Sequence, residues 1–171
     1  MALMSTTPSA LPFAQRKKSS IRSPKEPRCM VETEGLAVGQ SISSGSMRLT
    51  KDAAIEFARE FYPQPMHINE IAAAGSFFGS LVASGWHALA ITMRLAVEAR
   101  PFGDQPLIGA EISDIRYTKP IPPETCLSVR ITHEAIEEDK GKFGYSILRV
   151  LTLDADTEVV LIRQKWRMLR T

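Results

Sequence analysis

Phe61–Leu89 reads FYPQPMHINEIAAAGSFFGSLVASGWHAL, a proline-braced turn followed by a small-residue segment and the start of an apolar run. Pro63 and Pro65 fix backbone torsions around Tyr62-Pro63-Gln64-Pro65-Met66-His67 and argue against a regular helix there, so His67 is expected on a rigid loop. Gly75 to Gly85 is small and apolar, and it leads into a helix-like run from Ser84 to Glu98. If the two ends meet in the fold, a histidine on a rigid loop stands beside the backbone N–H donors of a glycine-bearing helix start. That pairing suits proton transfer next to a developing negative charge.

Outward from this stretch, the N-terminal side predicts a weak strand within Val38–Leu49, with a turn near Ser44-Gly45. Thr50 then reads as an N-cap, with Asp52 in the first turn favouring the helix dipole. Ala54, Phe57, Ala58 and Phe61 fall at i, i+3, i+4 and i+7, the spacing of a helix that buries one face, and Pro63 stops it. A short helix over Ile68–Ala74 follows, ended by Gly75. In the long run after Ser84, Trp86, Leu89, Ala90, Met93 and Val97 make one apolar stripe. Ile91 and Leu95 add apolar groups on other faces, as in a buried helix.

From Ile108 the rhythm changes to period two, predicting strands over Ile112–Tyr117, Cys126–Ile136, Tyr145–Leu153 and Val159–Leu169. Pro120, Pro122-Pro123, Lys140-Gly141 and Asp154–Thr157 break them. In the last, Val160, Ile162, Trp166 and Met168 face one way and Arg163, Lys165 and Arg167 the other, as in an antiparallel sheet with one wet face. A strand, helices and then four consecutive strands predict an α+β fold.

The 171 residues suffice for one domain with a tail. Residues 1–28 carry six Lys/Arg against one acid, a balance of +5; residues 29–171 carry fifteen against eighteen, a balance of −3. The body therefore has no electrostatic footprint for nucleic acid. Residues 1–34 are expected to be a disordered or targeting tail, with translation from Met30 an alternative, and 35–171 the folded domain. Residues 1–28 are Ser- and Arg-rich and nearly free of acids, so a transit peptide to the mitochondrial matrix stands beside a cytoplasmic location. Two cysteines, Cys29 and Cys126, have no metal or disulfide spacing and suit a reducing compartment. Leu81–Val97 carries His87 and Arg94 and is too short to span a bilayer comfortably.

Gln64-Pro65-Met66-His67 and, eighteen residues on, Gly85 within Ala83-Ser84-Gly85-Trp86-His87 resemble the paired motif of the MaoC-like acyl dehydratases, which include (R)-specific enoyl-CoA hydratases. The family's pattern opens with aspartate where this chain has Tyr62. The resemblance spans about residues 35–170 and implies a single hotdog domain, an antiparallel sheet wrapped around a long central helix. Internal repeats are lacking, which excludes a double hotdog. It further implies reversible hydration of an enoyl-CoA to a 3-hydroxyacyl-CoA, with His67 as proton carrier and the Gly85 N–H as oxyanion donor. Coenzyme A enters as part of the substrate, without a separate cofactor, and a homodimer or hotdog hetero-oligomer is implied.

An imidazole titrates near neutrality, at about 6.5, as such a role requires. Tyr62 cannot replace an aspartate unchanged, because a phenol with a pKa of about 10 is mostly protonated at neutral pH. Three readings stand: Tyr62 takes a modified catalytic role, another acid reaches the site, or the chain binds acyl thioesters without hydrating them. Glu60 and Glu70 are the nearby carboxylates, and both are expected to face solvent. Gln64, Phe78, Ser84 and Trp86 are expected to contact substrate, with Phe77 another candidate for the acyl pocket. Arg94, Arg116 and Lys119 are candidates for the phosphates of coenzyme A. His87 is expected to pack in the core and His133 to lie on the surface. No metal is expected, since no His/Cys/carboxylate cluster has ligand spacing. A GxSxG nucleophile elbow is also lacking. A hotdog thioesterase is the remaining alternative, but it needs a carboxylate that the first turns of the Ser84 helix do not supply.

Overall fold

The computed structural model describes residues 35–138 and 143–170. The expectations for the tail, for Cys29 and for the Lys140-Gly141 break fall outside them. Element order is β1 (Ser41–Arg48), α1 (Lys51–Phe61), α2 (Pro65–Ile68), α3 (Glu70–Ala74), α4 (Gly85–Glu98), β2 (Ile108–Tyr117), β3 (Cys126–Glu138), β4 (Gly144–Asp154) and β5 (Val160–Arg170). The five strands form one antiparallel sheet in the order β1-β3-β4-β5-β2. Helix α4 packs against β3 and β1, giving the α+β hotdog arrangement that the resemblance implied. Among the described residues no helix is long and apolar enough to cross a membrane.

The core lies between α4 and the inner face of the sheet. Ala88, Ile91, Leu95 and Ala96 from the helix meet Val129, Ile131, Leu148, Val150, Ile162 and Trp166 from β3, β4 and β5. Burying a Leu, Ile or Val side chain contributes about 1.5–3 kcal/mol, so this face fixes where α4 begins and what its first turn confronts. In β5 the alternation holds: Ile162, Trp166 and Met168 are buried, while Arg163 and Lys165 are exposed. Beneath the helix, Thr92 Oγ1 donates to Ala88 O at 2.7 Å and lies 2.7 Å from Thr152 Oγ1 of β4, tying α4 down.

Several expectations change. The turn near Ser44-Gly45 is a bulge inside a continuous β1, where the register shifts between Ser43 and Ser46 and Ser44 Oγ accepts the Val129 N–H. Phe61 ends α1 and is exposed, its ring against Phe57 of the same helix, because the small residues Ala54 and Ala58 make the close approach. The proline turn does contain a helical turn, α2, with Pro65 in its first turn, where no backbone N–H is missed. Asn69 separates α2 from α3 and caps the latter by accepting the Ala72 N–H. His133 is buried, because on β3 it shares the inward parity of Leu127, Val129 and Ile131; its Nδ1 donates to Leu36 O at 2.6 Å.

The apolar stripe of α4 is also assigned differently. Ala88, Ile91, Thr92, Leu95 and Ala96 face the sheet, while Trp86, Ala90 and Val97 of the expected stripe are exposed. With apolar groups on both sides, periodicity has no unique phase. The face carrying alanines and a threonine wins because it lets helix and sheet approach closely.

Candidate active site

The turn bearing His67 is stitched to the segment before α4. The Val82 N–H donates to Met66 O at 3.2 Å, and Ala83 N–H to Ile121 O at 2.8 Å, bringing in the chain that follows β2. Between these pieces lies a cavity of about 370 Å³, within the range of small-molecule sites. Tyr62 and His67 form one side of it, Phe78, Gly85 and Trp86 another, and Tyr117 to Ile121 a third. The two ends of the Phe61–Leu89 stretch do meet.

His67 is 7 % exposed, and its Nδ1 lies 2.8 Å from Val82 O. A carbonyl oxygen only accepts, so Nδ1 carries the proton and the neutral ring keeps Nε2 as its basic nitrogen. Thus the tautomer suits a base. The rings of Tyr62 and His67 stand 5.6 Å apart between centroids.

Gly85 is the first residue of α4. Ser84, fully buried, caps the helix by accepting the Trp86 N–H. Among the described residues no acceptor takes the Gly85 N–H. A helix-start donor left open on a cavity favours a negative oxygen there. Tyr117 lies against this residue, so close that a Cβ on Gly85 would stand 2.8 Å from its Cζ. Burial, and after it the nearby Tyr62, raise the Tyr117 pKa above the ordinary 10.0, so its phenol remains a hydrogen-bond donor at neutral pH.

Of the expected site residues, His67, Gly85, Tyr62, Phe78 and Trp86 share this cavity. Gln64 does not line it; it precedes α2 as an exposed N-cap without a side-chain bond. Ser84 serves the helix rather than the cavity. Phe77 is 97 % exposed and outside it. Lys119 lines it, whereas Arg116 borders a separate groove on the outer face of the sheet and Arg94 pairs with Glu98. His87 stacks on Phe57, with centroids 4.6 Å apart, away from the cavity. Glu70 pairs with Lys51 and Glu60 is exposed; among the described residues no carboxylate lines the cavity. Sequence reasoning missed Tyr117, which sits at the end of an edge strand with no local signal. A bulge between Ser113 and Arg116, with Asp114 at φ 51°, sets the course of β2 just before it.

Residues 34–152 match the family described as MaoC like domain. The chain belongs to the MaoC-like family. The protein YdeM of Bacillus subtilis is 31 % identical over 121 residues, covering 71 % of this chain and 84 % of YdeM. The crystal structure of a MaoC-like dehydratase from Rhodospirillum rubrum is 37 % identical, with a TM-score of 0.73, and covers 78 % of this chain and 92 % of that one. The (R)-hydratase PhaJ1 of Pseudomonas aeruginosa, at 18 % identity and a TM-score of 0.59, covers 78 % of this chain and 81 % of its own, and shares the fold. Membership in a family of dehydratases and hydratases directs the reading of this MaoC-like site toward water added to, or removed from, an acyl thioester.

Proposed function

We propose that this MaoC-like domain catalyses reversible hydration of a trans-2-enoyl thioester, delivered on coenzyme A, to a 3-hydroxyacyl thioester. The observation that carries it is the convergence of the His67 ring, its Nδ1 held by Val82 O, and the open Gly85 N–H on one cavity. His67 Nε2 takes a proton from water as the water oxygen bonds C3. The C2=C3 π electrons shift toward the thioester oxygen, whose charge the Gly85 N–H receives. Protonated His67 then returns the proton to C2, so atoms and charge balance without a further reactant. Tyr62 and Tyr117, as phenols, hold the water by hydrogen bonds. Lys119 at the rim is a cation for the phosphates of coenzyme A, and no separate cofactor or metal takes part. A second hotdog subunit, the same chain or another, covers the apolar residues that α4 and β2 leave exposed.

The test is loss of the conjugated enoyl absorbance with a panel of trans-2-enoyl-CoA thioesters. Turnover should fall about 10²–10⁴-fold in His67→Ala. Undiminished absorbance with every member of the panel would overturn the reading.

One observation favours a second reading, a subunit that binds acyl thioesters without hydrating them: among the described residues no carboxylate lines the cavity, which fits the resemblance in which Tyr62 takes the place of the motif's aspartate. Under it the natural chain is inert and Tyr62→Asp gains turnover. The same lack of a carboxylate weighs against a thioesterase, which release of free thiol would reveal.

A further inference from the structure

Beside the cavity, and sharing Trp86 with it as a wall, runs a second groove of about 460 Å³ between the outer stripe of α4 and strands β2 and β5. Leu89, Met93, Ile112, Ile115 and Trp166 make its lining apolar, and Gln164 brings a side-chain amide to it. Gln164 is 4 % exposed. Its Oε1 accepts the indole N–H of Trp166 at 2.8 Å. Because an indole nitrogen only donates, this bond fixes which end of the amide is oxygen, and the other end is the NH₂. That Nε2 is buried and has no partner among the described residues. Gln164 also borders a groove on the outer face of the sheet. Its bond to Trp166, an inward residue of β5, places the amide on the inner side.

A buried donor left unmade destabilises the fold. An apolar residue of similar shape would avoid that cost if the groove held only hydrocarbon. We infer that the groove takes the acyl chain of the substrate, and that Gln164 Nε2 selects chains carrying a neutral oxygen, a carbonyl or hydroxyl, at a carbon remote from the thioester. The inference rests on the acyl-thioester reading above. The groove adjoins the cavity, since Trp86 lines both. Among the described residues no cation lines the groove, so a carboxylate there would be a buried charge without compensation, and a neutral acceptor is the matching chemistry. A second subunit laid over the exposed stripe would roof the groove without replacing its floor.

The experiment compares trans-2-enoyl-CoA thioesters of one chain length, unsubstituted or bearing a ketone or hydroxyl at successive positions beyond C4. At least one oxygenated member should exceed the plain chain in kcat/KM by about 5–150-fold, the worth of one buried hydrogen bond otherwise left unmade. Gln164→Met should abolish the preference, lowering kcat/KM for that member and raising it for the plain chain. Dissociation constants of the corresponding saturated acyl-CoA thioesters are measured in parallel. A binding preference that vanishes in Gln164→Met, without turnover by either protein, sustains this inference and removes the hydratase reading. Turnover with no oxygenated chain preferred does the reverse. A preference that persists in Gln164→Met, or the absence of any preference in both rate and binding, overturns the assignment. Should Gln164→Met fold poorly, the side-chain amide resonances of the wild-type protein decide: an oxygenated chain must shift one Gln NH₂ pair that the plain chain leaves in place.

Discussion

The ring of Tyr117 lies across the first residue of α4, in space that a side chain on Gly85 would occupy. Tyr117 is half-exposed and Gly85 is anchored by the capped helix, so an added methyl displaces the ring and leaves the helix where it is. Gly85→Ala should therefore leave the urea midpoint nearly unchanged. Its kcat/KM should fall about 10²-fold, the scale of an ångström-sized misplacement in a site. In a Tyr117→Ala background the same substitution should cost far less, a non-additivity that a double-mutant cycle reads directly. Additive losses would mean that the contact has no part in activity.

His67 serves two purposes that substitution can separate. Its Nδ1–H satisfies Val82 O, and its Nε2 is the base. His67→Asn supplies an amide N–H in place of Nδ1 and no base; His67→Ala supplies neither. Both should lose about 10²–10⁴ in kcat/KM. Only the alanine variant should also lose stability, by about 1–3 kcal/mol for the unpaired buried carbonyl, measured by urea unfolding. Equal stability in the two would remove the structural half of this account.

The motif halves around His67 and Gly85 were legible from sequence because each is local: two prolines and a histidine in one turn, a glycine at one helix start. Strand order and the third wall of the cavity were not. Tyr117 and Ile121 arrive through a bulged edge strand and the bond from Ala83 to Ile121, and no periodicity in their own segment announces that encounter. The face of α4 was misassigned because its sides compete in hydrophobicity, and close packing, which hydropathy does not measure, decided between them. His133 could have been placed correctly from strand parity. The fold gives it a buried carbonyl to hold.

His87 makes the fold sensitive to acid. It stacks on Phe57, its Nδ1 is buried without a partner among the described residues, and burial lowers its pKa below 6.5. The unfolded chain, with the ordinary value, then binds the proton first as pH falls. Stability from this group is complete above about pH 6.5 and is lost as pH drops through 6.5 toward the lower folded value. His87→Phe keeps the stacking and removes the titration. Its unfolding free energy should change less between pH 7 and pH 5 than that of the wild type, as followed by urea melts at each pH. An unchanged slope would assign the acid sensitivity to other groups.

The Thr92–Thr152 pair has a direction that mutation can expose. Thr92 Oγ1 spends its hydrogen on Ala88 O, so in the pair it accepts, and Thr152 Oγ1 donates. Both residues are fully buried. Thr92→Val therefore strands a buried donor on Thr152, at about 1–3 kcal/mol. Thr152→Val leaves Thr92 still donating to Ala88 and gives up only one accepted bond, so it should cost less. The double valine variant removes both hydroxyls without leaving an orphan and should be more stable than Thr92→Val alone. Urea unfolding of the four proteins gives this order directly. Thr152→Val proving the costlier single change would mean that the hydroxyl hydrogens run the other way.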